Sequence, residues 1–232
     1  MKKIFLMLGI LSFPFTANAY EPNNCSSMYF NNAPPIIQES FDREYIKTDC
    51  NLEYTNGYTT QGNISLWSAE HLTRNQVDNS ERITRKSHFD NRNPVIKSYS
   101  NSGYDRGHMT PSNDMTTLIS QKETFTWKNI VPQDHELNNG KWKQIENNAR
   151  FYASKYGDAY IVTGGFFNKP KTIGNKNVLV PYEIWKAILI PVKGIALVYS
   201  CINSNEQICK AENLTTFQER TEIIPFPGLF KK

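Results

Sequence analysis

The chain has 232 residues, 26 Lys and Arg against 22 Asp and Glu for a net charge of +4, and an aromatic content of 12%. That aromatic content supplies enough apolar surface to fold, which excludes a disordered chain, and the length suits one large domain or two small ones. A mean hydropathy of −0.55 and the lack of any interior run of 18 apolar residues exclude a polytopic membrane protein, and no period recurs that would mark a repeat array.

Residues 1–19 read as a secretory signal, with Lys2 and Lys3, an apolar stretch from Ile4 to Phe13, and Ala17-Asn18-Ala19 as a cleavage site. About ten apolar residues interrupted by Pro14 are too short to span a bilayer. The expectation is a secreted or periplasmic protein with no stable membrane association after cleavage. The mature chain loses two lysines and becomes only mildly basic, so charge alone announces no nucleic-acid partner. Export into an oxidising compartment makes Cys25, Cys50, Cys201 and Cys209 two disulfides. Three connectivities are open; nearness in sequence favours Cys25–Cys50 and Cys201–Cys209. No pair has CxxC spacing and no His lies three to five residues from a Cys, which argues against zinc or redox chemistry.

Residues 20–49 are expected to be irregular, punctuated by Asn23-Asn24, Asn31-Asn32 and Pro34-Pro35. Strands are expected over Tyr54 to Thr60 and Gly62 to Ser68, then a polar loop with short elements over 75–104. Trp142, Ile145, Ala149, Tyr152, Ala153 and Tyr156 form one apolar stripe at helical spacing, so Gly140 to Tyr156 reads as a helix ended by Gly157. Short β-branched segments over Ala159 to Thr163, Ile184 to Pro191 and Gly194 to Cys201 read as buried strands, with a basic loop carrying Lys169, Lys171 and Lys176 between the first two. A last helix is expected near Leu214 to Thr221. The whole reads as a single α+β domain over 50–232.

The stretch Tyr104-Asp105-Arg106-Gly107-His108-Met109-Thr110-Pro111 carries the chemistry. A glycine before His108 permits tight backbone, and Arg106 can fork onto a phosphate. Asp105 can hold the imidazole or brace the turn. Acid, guanidinium and imidazole within four residues suit water attack on an anionic ester, which makes this a candidate phosphoester hydrolase.

The stretch also resembles the DRGH signature of the DNA/RNA non-specific endonucleases, the endonuclease G-like ββα-metal nucleases. Asn129-Ile130-Val131-Pro132-Gln133 is similar to the family's Asn-x-x-Pro-Gln segment, and Leu137-Asn138-Asn139-Gly140-Lys141-Trp142 with Ile145-Glu146 to its Leu-Asn-x-x-x-Trp-x-x-Leu-Glu block. Thr163-Gly164-Gly165, then Glu219-Arg220-Thr221 and Phe226-Pro227, follow in family order. The resemblance covers roughly Tyr54 to Phe230. It implies a central antiparallel sheet flanked by helices, with the active site on a ββα-metal finger.

By position, the resemblance makes His108 the base that activates water and Asn138 the one direct protein ligand of Mg2+, with Mn2+ as a substitute. Glu146, eight after Asn138, matches an acid that orders water at the metal, and Arg150 an arginine that supports the site and binds substrate. Arg85 resembles an upstream arginine that clamps phosphate, though Arg82 and Arg92 lie near it. Arg106 contributes phosphate binding or local structure. Asp105 and Asn129 are placed behind the site, and His135 is read as a surface histidine near the cleft. The implied activity is hydrolysis of DNA and RNA without marked sequence preference, leaving 5′-phosphates. The competing readings are a phosphodiesterase restricted to one polymer or to nucleotides, a binding protein that kept the fold without hydrolysis, and a disulfide-stabilised binding domain. Monomer and homodimer are both left open.

Overall fold

The computed structural model describes residues 25–37, 41–168 and 171–229, so the expected signal sequence and Lys169 lie outside the described residues. Strand pairing begins earlier than the sequence suggested. Ile46–Cys50 forms β1, paired antiparallel with β2 (Thr55–Thr59), where irregular backbone was expected up to residue 49. Its partly exposed IKTDC sequence lacks the alternation that marks a strand, and β2 supplies the order by pairing with it. β3 (Ile64–Thr73) follows and runs five residues beyond the expected end at Ser68.

Thr73 caps helix α1 (Arg74–Ser80) with a reciprocal bond to Gln76, and Asn93 caps the short helix α2 (Pro94–Lys97). β4 (Asp105–His108) is followed by α3 (Leu118–Glu123) and then β5 (Ile130–Gln133). α4 (His135–Leu137) leads through a wide π-type turn, Asn138–Trp142, into the long helix α5 (Lys143–Tyr156). The helix was expected from Gly140; non-helical backbone there (φ −102°, ψ −108°) delays its regular part to Lys143. It ends at Gly157, whose φ of 108° is left-handed. β6 (Asp158–Phe166), the small pair β7 (Thr172–Ile173) and β8 (Val178–Leu179), β9 (Glu183–Ile190), β10 (Ile195–Ile202), β11 (Cys209–Asn213) and α6 (Leu214–Thr221) complete the chain.

Seven strands make one antiparallel sheet in the order β1-β2-β3-β6-β9-β10-β11, and β4 pairs with β5 in a separate two-stranded ribbon. The fold is α+β with a central antiparallel sheet and helices against it. On one face Leu72, Ile161 and Ile188 meet Val77 of α1 and Ala149 and Ala153 of α5. The larger cluster includes Trp67, Trp185, and Phe217 of α6, whose ring centre lies 5.2 Å from that of Trp185. Gly164 is required here, since a Cβ would come within 2.3 Å of the Trp185 ring.

Both disulfides form as sequence proximity suggested, Cys25–Cys50 with Cα atoms 5.8 Å apart and Cys201–Cys209 at 4.1 Å. The second joins residues directly opposite across β10 and β11. The loop it closes reaches away from the sheet. Asn203 donates to the carbonyls of Pro132 and Pro181 and accepts from Asp134 N, and Gln207 accepts from Lys141 N. No helix among the described residues is long and apolar enough to cross a membrane.

Candidate active site

β4 and β5 pair in the register Asp105↔Gln133, Arg106↔Pro132, Gly107↔Val131 and His108↔Ile130. The ribbon is tight: a Cβ on Gly107 would stand 2.1 Å from Gln133 Oε1. This closeness explains the glycine before His108. The turn after His108 is held by Asn129, which is fully buried. Its carbonyl accepts from Met109 N (2.8 Å), its Oδ1 from Thr110 N, and its Nδ2 donates to the Thr110 and Thr124 carbonyls. Asn129 therefore braces the turn after His108 from behind.

The imidazole of His108 packs between aromatic rings, 5.0 Å from Phe125 and 5.6 Å from Phe89 between centres. Burial, with the Arg85 charge adding to it, holds its pKa down at about 3. The ring is thus neutral across the physiological range. Arg85 lies over Phe125 and donates to Ser112 Oγ, while Arg106 lies over Phe89. The aromatic pair that surrounds the histidine also carries the two guanidinium groups. Arg92, the competing candidate, instead pairs with Asp90 in solvent.

Asp105 does not hold His108. Its carboxylate accepts from Asn138 Nδ2 (2.9 Å), Asn139 Nδ2 (3.2 Å) and His135 Nδ1 (3.0 Å). The reason lies in strand alternation: Asp105 and His108 are three apart on β4 and face opposite ways. Asn138 has its amide nitrogen committed to Asp105, which fixes the other end of the group as oxygen, an acceptor or ligand. His135, read from sequence as a bystander, is raised in pKa by its bond to Asp105 and forms part of this clamp.

On α5, Glu146 lies in the cleft wall near Asp114, Arg150 and Lys186. Burial pushes its pKa up to about 7, Asp114 adds to that, and the Lys186, Arg150 and Arg85 charges pull it back. Arg150 is not the exposed partner of Glu146 that i,i+4 spacing allowed. It donates to the buried carboxylate of Asp114 at 2.6 Å and to Asn147 at 2.7 Å. Asp114 and Lys186 were missed by sequence reading, because nothing local marks a turn aspartate or a strand lysine as buried. Lys171 turns instead onto the Tyr104 hydroxyl (2.6 Å).

Arg85, Arg106, His108, Asn138, Glu146 and Arg150 line one cleft of about 310 Å³, together with Ser112, Asn113, Asn139, Lys143 and Asn147. Asp105 and Asn129 stand behind that lining. A two-stranded ribbon bearing the histidine, leading through a turn bearing the asparagine into a helix bearing the glutamate, is a ββα-finger arrangement. A neutral imidazole, a fixed amide oxygen and three guanidinium groups facing one space define a site for an anionic ester.

The chain belongs to the DNA/RNA non-specific endonuclease family, whose model matches residues 32–224. It is 28% identical over 230 residues to Nuclease C1 of Cunninghamella echinulata var. echinulata, covering 90% of this chain and 88% of that one. It is 28% identical over 193 residues to the mitochondrial nuclease EXOG of Homo sapiens, covering 73% of this chain and about half (52%) of that longer protein. Among solved structures it superposes on the EndoG/EndoGI complex with a TM-score of 0.63 at 21% identity, covering 76% and 84% of the two chains, a likeness of fold.

Proposed function

We propose that the protein is an exported, magnesium-dependent endonuclease that hydrolyses DNA and RNA through water activated by His108, leaving 5′-phosphate ends. Membership of the endonuclease family supports the reaction class, and the convergence of His108, Asn138, Glu146 and three arginines on one cleft carries the rest. The donor set suits the ion. The described residues hold no group of three or more His, Cys, Asp or Glu able to cage a metal. Among the neutral side-chain oxygens that line the cleft, that of Asn138 is oriented by Asp105, which accepts from its amide nitrogen. Magnesium and manganese favour oxygen donors, and magnesium retains much of its water, so one protein oxygen in a polar cleft fits it. When bound, the ion would supply Lewis-acid stabilisation of the charge on the phosphate and the leaving 3′ oxygen.

The protein's own groups account for the remaining steps. Arg85 and Arg106, stacked on Phe125 and Phe89, are placed to pair with phosphate oxygens. The neutral His108 ring takes a proton as the water oxygen bonds to phosphorus, and the bond to the 3′ oxygen breaks, that oxygen taking its proton from solvent water to leave a 3′-hydroxyl. Glu146 accepts hydrogen bonds from ordered water at the cleft wall. These contacts read backbone rather than base edges, and attack by external water needs no 2′-hydroxyl, so both polymers qualify as substrates.

The test is incubation of the purified protein with plasmid DNA and with structured RNA, with magnesium and with excess EDTA, beside His108→Ala. The expected result is cleavage of both polymers, loss in EDTA, and a fall in turnover of roughly 10²–10⁴ in the variant with binding little changed. Full activity in EDTA would refute the metal mechanism, and cleavage of one polymer alone would narrow the substrate class.

A further inference from the structure

Lys186 is a cation that the mechanism above does not use. It lies on β9 and is 1% exposed. Strand alternation puts it on the face of the sheet that carries Ile188, with Thr163 directly opposite on β6 and Glu70 further across on β3. Farther along, this face packs under α5 through Leu72, Ile161 and Ile188. At this end it becomes polar, and it lies beneath the turn that follows His108.

The ammonium group donates to Thr163 Oγ1 at 2.5 Å and to the Met109 carbonyl at 3.2 Å. It also lies 5.5 Å from the centre of the Trp142 ring, at the end of the π-type turn that begins with Asn138. One group thus touches the peptide immediately after the base and the aromatic residue four positions beyond the metal-ligand candidate. Glu146, Glu70 and Asp114 stand around it, and Arg150 is the other basic group in the cluster. Glu70 is itself 2% exposed and its Oε2 has no hydrogen-bond partner among the described residues.

A neutral donor could bridge Thr163 and Met109 at far lower desolvation cost than a buried ammonium. A basic group here is explained by what surrounds it, three buried or half-buried acids that it shares with Arg150. We propose that Lys186 is a positioning residue of the hydrolytic site, fixing the peptide after His108 against the central sheet and balancing the carboxylates beneath the cleft. It acts through Met109 and Trp142 and touches no substrate. The assignment rests on reading the His108 cleft as the hydrolytic site.

The test compares wild-type protein with Lys186→Met, the double variant Glu70→Gln/Lys186→Met, and His108→Ala. Each is measured for kcat and KM on plasmid DNA with magnesium and for melting temperature without metal. Lys186→Met is expected to lower kcat about 10- to 100-fold, as loss of sub-ångström placement does, with KM within about threefold of wild type. Removing Glu70 as well should restore the melting temperature but leave kcat low, and this variant carries the test if the single one does not fold. Wild-type kcat in Lys186→Met overturns the proposal. Recovery of kcat in the double variant also overturns it, because Lys186 would then serve only as the counter-charge of Glu70. Full turnover in His108→Ala would instead show that the reading of the cleft itself is wrong.

Discussion

Glu146→Gln offers a test of the cleft that requires neither substrate nor metal. The carboxyl titrates near 7 in the folded chain against an ordinary 4.5. Between those values the native protein holds a proton that the unfolded chain has released, so stability falls as pH rises through that window. Above pH 7 the whole cost is present, and the rise from 4.5 to about 7 corresponds to about 3 kcal/mol. Gln cannot ionise, so in EDTA at pH 8 the variant should be more stable than wild type by roughly 2–3 kcal/mol, or about 5–10 °C in melting temperature for a chain of this size. At pH 4.5 the gain should largely vanish. Urea unfolding of both proteins at the two pH values, disulfides intact, measures it. The same variant should lose activity, because a carboxylate kept at a cost to the fold is retained for its chemistry. Equal stability at pH 8, or the same gain at both pH values, would refute the claim that burial makes this group costly.

With Asn138 holding magnesium as proposed, Asp105→Ala should weaken the apparent magnesium affinity about 10- to 100-fold while the fold survives; magnesium titration of plasmid cleavage reads it. Gly107→Ala places a Cβ 2.1 Å from Gln133 Oε1, so turnover should fall about 100-fold with a stability loss of only about 1–3 kcal/mol, measured by kinetics and circular dichroism together. Replacing both Cys201 and Cys209 by Ala should cost about 2–3 kcal/mol, seen as a lower urea midpoint. Arg85→Ala should weaken DNA binding and reduce the salt slope by about one, whereas Arg92→Ala should change neither, which filter binding at several salt concentrations distinguishes.

Much of the fold was legible because its cues are local. The stripe of α5, the β-branched runs of β6, β9 and β10, and Leu214–Thr221 all carry their own periodicity or punctuation. β1 was missed because its order comes from its neighbour. The same division runs through the site. His108, Asn138 and Glu146 lie in contiguous motifs that could be matched one residue at a time. The role of Asp105 could not, since its partners stand 30 to 34 residues away in sequence. Lys186, Glu70 and Asp114 show only that a charged residue interrupts an apolar run or turn; that they meet is a property of the sheet's strand order.

The loop closed by Cys201 and Cys209 bears on the order in which the molecule becomes competent. Asn203 holds the chain at Pro132 and Asp134, and Gln207 holds it at Lys141, its amide close over Gly140. These contacts bridge some 70 residues, so their loop-closure entropy must be met by pairing elsewhere before they can form. A nascent chain that has made β4, β5 and α5 still lacks the hairpin that shapes the turn at Asn138. The turn that carries Asn138 is thus completed by carboxy-terminal strands, so the cleft is a product of both ends of the described chain.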